Sequence, residues 1–134
     1  MTECLFCKIV AGAIPADRVY EDDRTIGFLD IHPVHPGHVL LVPKSHAGAF
    51  RSLSPEDRDA LFAAGQAVAA KVMAATGAPA FNLEMNDGED AGQVVMHAHL
   101  HVIPRHPGDG LRHWPGTPYA EGEAAKMGEK IRGA

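Results

Sequence analysis

Val94-Val95-Met96-His97-Ala98-His99-Leu100-His101-Val102-Ile103-Pro104 is the stretch on which the fold turns. Apolar residues interleave with imidazoles at the two-residue period of a β-strand. A strand over 94–103, ended by Pro104, sends His97, His99 and His101 to one face with Val95 beside them. Met96, Ala98, Leu100 and Val102 then take the other face, toward a core. A strand that merely faced solvent would be served as well by threonine, lysine or glutamate. Three chemistries suit the row: a metal held by all three imidazoles, phosphate oxygens bound through N–H donors, or one nucleophilic imidazole helped by its neighbours.

The surrounding chain supplies a scaffold. Leu5–Val10 reads as one or two helical turns closed by Gly12 and Pro15. Val19–Glu21 and Thr25–Leu29 flank the acidic turn Glu21-Asp22-Asp23-Arg24, a hairpin signal. Residues 30–37, with Pro33, Pro36 and Gly37, form a loop, and Val39–Val42 is a strand buried on both faces and stopped by Pro43. The clearest helix spans Pro55–Thr76. Ser54 is its N-cap, Pro55 stands at N1, Glu56 and Asp57 complement the dipole, and Gly77 is the stop. Its apolar face is Leu61, Val68 and Val72, with Phe62 and Met73 alongside. Ala80–Met85 is a further strand, 86–92 a polar loop, 106–118 an irregular crossing segment, and Ala120–Ile131 a final helix weakened by Gly122 and Gly128. Hairpin-linked strands, one long helix and then more strands define an α+β domain with a mainly antiparallel sheet.

Composition bounds the function. The 134 residues fit one domain, and 12 Lys plus Arg against 17 Asp plus Glu leave a net charge of −5. That balance gives no basic footprint for nucleic acid or for an anionic membrane, while a local site for a small phosphate remains compatible. The absence of a leader-like or membrane-spanning run makes the cytoplasm the expected compartment. Cys4 and Cys7 are the only thiols, and a C-x-x-C pair in a reducing compartment reads as metal binding or redox before disulfide. Nine histidines are many for this length.

The motif His97-Ala98-His99-Leu100-His101-Val102-Ile103, its lead-in Ala91-Gly92-Gln93 and the trailing Pro104-Arg105 resemble the histidine triad (HIT) nucleotide hydrolases and transferases. Phe6-Cys7-Lys8-Ile9-Val10, Ile14-Pro15, Val19–Asp23, Phe28-Leu29-Asp30-Ile31, Pro36-Gly37-His38 and Val42-Pro43-Lys44 fall in that family's order. The resemblance covers roughly residues 3–105 of a single domain over 1–134, leaving 106–134 as an extension. It implies a five-stranded, mainly antiparallel sheet with one long helix and short terminal helices, and a homodimer with sheets joined edge to edge.

The resemblance also implies roles. His99 would attack the α-phosphate of a purine nucleotide, forming a nucleotidyl-histidine that water hydrolyses, while His101 and His38 contact phosphate and assist the leaving group. Asp30 would accept the ribose hydroxyls. Phe6, Phe28 and Ile31 would wall the base pocket. Asn86, Gly92, Gln93 and Val94 would form the phosphate loop, with Val94 limited to its backbone N–H. Some bacterial relatives carry a closed Cys-Cys-His-His zinc site. The matching residues are Cys4, Cys7, His46 and His97, which would give one structural zinc per chain. His97 would then organise the strand and leave phosphate to its neighbours. A binding module with vestigial hydrolysis and a zinc hydrolase using the three histidines as ligands are the competing readings. A two-lobed sugar-phosphate transferase generally needs a longer chain.

Overall fold

The computed structural model describes residues 3–134. Helix α1 (Leu5–Val10) precedes strands β1 (Arg18–Glu21), β2 (Thr25–Leu29) and β3 (Val39–Pro43). Helix α2 (Pro55–Thr76) follows, then β4 (Ala80–Glu84), β5 (Leu100–Arg105) and helix α3 (Glu123–Arg132). The five strands form one antiparallel sheet in the order β1-β2-β3-β5-β4. The α+β reading, with its five-stranded sheet, one long helix and short terminal helices, is what the chain folds into.

The β1–β2 turn is tied by Asp22, whose Oδ1 accepts the N–H groups of Arg24 and Thr25, both at 2.8 Å. Helix α2 begins where the sequence places it. Ser54 Oγ accepts the Asp57 N–H at 3.1 Å, and Gly77, with φ of 73°, takes the left-handed C-cap position that disfavours a Cβ. Leu61, Ala64, Val68, Ala69 and Val72 bury against Val39, Leu41, Leu100 and Val102 on one face of the sheet. Close approach is required there, because a Cβ on Gly65 would stand 3.0 Å from Leu100 Cδ2. Truncating Leu61 to alanine would cost about 3 kcal/mol, the usual penalty for an emptied core site. Phe62 departs from the expected helix face and is exposed.

The other face packs α1. Phe6 and Ile9 bury with Ile26, Phe28, Leu40 and Val42. In register, Leu40 lies opposite His101, so His101 projects on the α1 side while Leu100 and Val102 point at α2. The histidine row therefore occupies the face that the short helix leaves partly open.

The expected strand over 94–103 is shorter: β5 starts at Leu100 and continues through Pro104 to Arg105. Its neighbours explain this. Beyond Leu41, β3 ends at Pro43, which has no N–H to offer a ladder, and the Pro43 carbonyl is taken by the His97 ring at 2.8 Å. On the other side β4 stops at Glu84, paired with His101. Residues 94–99 instead bond to the loop after β3, where the Ala98 N–H donates to the Ala47 carbonyl at 2.7 Å.

Candidate active site

His99 is positioned by the backbone just before β5. Its Nδ1 lies 2.8 Å from the His97 carbonyl oxygen. A carbonyl only accepts, so the ring proton sits on Nδ1 and the Nε2 lone pair is free. Phe6 meets the His99 ring edge-on, with centroids 5.1 Å apart and planes at 86°, which fixes the ring's plane. The result is an imidazole with one nitrogen anchored on the backbone and its ring on the wall of a cavity.

His38 and His101 form a second unit. His38 Nδ1 accepts the Val34 N–H at 3.1 Å, so the His38 proton resides on Nε2. That nitrogen is 2.9 Å from His101 Nδ1 and donates to it, which leaves the His101 proton on Nε2. Asp30 Oδ2 stands 3.6 Å from His38 Nε2, and Asp30 Oδ1 accepts the His32 N–H at 2.9 Å. By residue type alone Asp30, His38 and His101 could hold a divalent cation. The Val34 N–H argues against it, because a ligating Nε2 would have to give up the proton that this tautomer places there. Burial pushes both imidazoles below their ordinary values, His101 down to about 4, and the neighbouring His99 and His38 act in the same direction on His101. The pair is neutral at pH 7.

These groups open on a cavity of about 850 Å³. His38, His99 and His101 line it, as do the expected base-pocket residues Phe6, Phe28 and Ile31 and the expected ribose acceptor Asp30. Phe6 and Phe28 are buried and meet edge-on at 5.5 Å, whereas Ile31 lies on the rim, 85% exposed. From the expected phosphate loop, Asn86, Gly92 and Val94 line the cavity, Val94 as an exposed rim residue. Gly92, with φ of 96°, lets the loop turn beside the Asn86 amide, which would lie 3.3 Å from any Cβ there.

Gln93 does not line the cavity. Its side chain is buried, Oε1 accepting the Gly88 N–H at 2.9 Å and Nε2 donating to the carbonyls of Gly48 at 2.7 Å and Val95 at 3.0 Å. Gln93 therefore shapes the 88–95 loop from within. Residues that the sequence reading passed over also line the wall, among them Ile14, Val34, Val95 and Glu84. Alternation along β4 could have singled out Glu84, since a charged residue ends that apolar strand.

The thiols belong to a separate cluster on the same motif. Cys4, Cys7, His46 and His97 bring one ligand atom each to within 4.8 Å of one another. The Nδ1 of His97 is 3.4 Å from Cys4 Sγ and 3.6 Å from Cys7 Sγ, and Cys7 Sγ is 3.3 Å from His46 Nδ1. Zinc bonds of about 2.3 Å to sulfur and 2.0 Å to nitrogen would set tetrahedral S···N separations near 3.5 Å, so the residues fit such an ion. His97 Nε2 donates to the Pro43 carbonyl at 2.8 Å, which turns the Nδ1 lone pair toward the sulfurs. His97 is therefore committed away from the cavity, and the three histidines of the motif do not converge as one ligand set.

A sequence profile described as the HIT domain matches residues 11–108. The chain belongs to the HIT family. It is 45% identical over 107 residues to an uncharacterized HIT-like protein of Methanocaldococcus jannaschii, covering 80% of this chain and 82% of the relative. It is 37% identical over 131 residues to the adenosine 5'-monophosphoramidase hnt1 of Schizosaccharomyces pombe, covering 96% and 95%. Among solved structures, SMU.412c of Streptococcus mutans superposes with a TM-score of 0.93 at 36% identity, over 99% of this chain and 85% of that one. A zinc-bound histidine triad protein of Mycobacterium smegmatis superposes with a TM-score of 0.79 at 36% identity, over 99% of each chain.

Proposed function

We propose that this chain is a HIT hydrolase that cleaves purine nucleotide derivatives at the α-phosphate through a covalent nucleotidyl-histidine on His99. The observation that carries the reading is the 2.8 Å bond between His99 Nδ1 and the His97 carbonyl, which frees Nε2 toward the cavity. In the first step Nε2 attacks phosphorus and the bond to the leaving group breaks. The His38–His101 pair lends one proton to the leaving group through His101 Nε2–H and recovers one from the water that releases the nucleoside monophosphate. Asp30 would accept the ribose hydroxyls, with the base between Phe6, Phe28 and Ile31. Asn86, Gly92 and the Val94 backbone would meet the phosphate, and Gln93 would hold that loop in place.

The metal is read as zinc, one per chain, on Cys4, Cys7, His46 and His97. Two thiolates and two imidazoles leave no open position, so the ion's contribution is structural cross-linking of α1, the loop after β3 and the segment before β5 that carries His99. Thiolate ligands suit a reducing compartment such as the cytoplasm. Residues 1–134 are read as a single domain. Strand β4 at the sheet edge, with Phe81 and Leu83 exposed, is the surface on which a homodimer would pair.

The reading is tested with an adenosine phosphoramidate. Wild-type protein is expected to release adenosine monophosphate, and His99→Ala to lose at least about a thousandfold in kcat. Equal slow turnover by both proteins would return the chain to a nucleotide-binding module.

A further inference from the structure

The sheet order lays the cavity out as a map. The base and ribose contacts come from α1, β2 and the loop after it, His38 leads into β3, the nucleophile His99 immediately precedes β5 and its partner His101 sits on it, and β4 lies beyond. A nucleotide bound with its base at Phe28 and its α-phosphate at His99 therefore directs its leaving group over β4. On that strand Glu84 is the register partner of His101, so both side chains stand on the cavity face. We propose that Glu84 selects the leaving group by charge, favouring an amine that carries a further cationic centre over a polyphosphate.

The charge inventory supports this choice. Among the described residues the cavity lining holds three carboxylates, Asp17, Asp30 and Glu84, and no lysine or arginine. Burial keeps His38 and His101 neutral, so they add no fixed positive charge. Arg51, which reaches the 86–92 loop, is engaged by Asp87 at 2.9 and 3.1 Å. The Glu84 carboxylate has no ion-pair partner among the described residues. A polyphosphate chain leaving over β4 would thus bring several anionic charges beside a free carboxylate with no fixed cation to meet them. An ammonium on the leaving group would find a partner instead.

The inference rests on the nucleotidyl-transfer reading above. In the step concerned the phosphorus–nitrogen bond breaks, His99 Nε2 bonds to phosphorus, and the departing amine nitrogen takes the proton from His101. The test compares two adenosine monophosphate phosphoramidates of matched length, one on a butane diamine with its far ammonium free and one on neutral pentylamine. Diadenosine tetraphosphate is the third substrate. Wild type should favour the diamine substrate about 1.5- to 5-fold in kcat/KM, the range for an exposed charge pair. Glu84→Gln should bring that ratio to near one, and Glu84→Lys should invert it and raise turnover of the tetraphosphate relative to pentylamine. A ratio unchanged in Glu84→Gln overturns the role. If wild type hydrolysed none of the three, the hydrolase reading would have failed separately. The same ratio would then be read from calorimetric affinities, where equal binding of the two phosphoramidates by wild type overturns it.

Discussion

His38 Nε2 stands 2.9 Å from His101 Nδ1, and the Val34 N–H, 3.1 Å from the other nitrogen of His38, fixes the direction of that bond. His38 donates and His101 accepts, so the remaining proton of His101 faces the cavity. Two side chains 63 residues apart in sequence are joined as one hydrogen-bonded unit, which the proposed mechanism uses to handle the leaving-group proton.

The unit matters in proportion to how badly the leaving group needs a proton. His101→Ala is expected to lower kcat about 10²–10³-fold for an alkylamine leaving group and less than about tenfold for nitrophenolate, which departs without protonation. Measuring kcat for both substrates in both proteins checks this. An equal loss on the two would show that His101 only binds phosphate.

Acid should loosen the fold through the same two rings. Burial holds the His38 and His101 values below the ordinary imidazole value, His101 at about 4. Between about pH 6.5 and 4 the unfolded chain therefore binds more protons than the folded one, and stability falls as pH falls through that window. Thermal melts from pH 7.5 down to 4.5 should show a declining Tm, with a shallower decline in His101→Phe. A flat profile would mean that the rings charge freely in the folded state.

Elemental analysis of protein purified without chelator should find one zinc per chain. Cys7→Ser should lose the metal and about 3 kcal/mol of stability, a fall in Tm on the order of 10 °C. Wild-type protein containing no zinc would contradict the ligand assignment.

Gln93 is expected to report on loop support. Gln93→Ala leaves the Gly88 N–H and the Gly48 carbonyl without their partner and removes one of the two donors to the Val95 carbonyl, which keeps the His97 N–H, at a cost of about 2–4 kcal/mol. A chemical denaturation curve measures it. A cost near zero would mean that water replaces the amide without loss.

Much of this was legible in the chain. Ser54, Pro55 and Gly77 mark both ends of α2 because caps are local chemistry, and the alternation Leu100-His101-Val102 gives the correct faces of β5. The extent of the strand was not legible, because ladder partners come from β3 and β4 and run out at Pro43 and Glu84. The family resemblance set Gln93 in the phosphate loop. Only the fold shows its amide saturated by three backbone groups. Asp109 likewise reads as part of an irregular segment. It accepts from Arg105 at 2.7 and 3.0 Å and from the His106 N–H at 2.8 Å, and it lies 2.9 Å from His35. That brings residues 106–111 against the loop leading to His38, a long-range contact with no sequence signature.

The most direct measurement is to quench the reaction with a labelled adenosine phosphoramidate and locate the label by mass spectrometry. A nucleotidyl group on the peptide containing His99, absent from His99→Ala, is the expected result. Label on His97, His101 or any other residue would contradict the assignment of His99 as nucleophile.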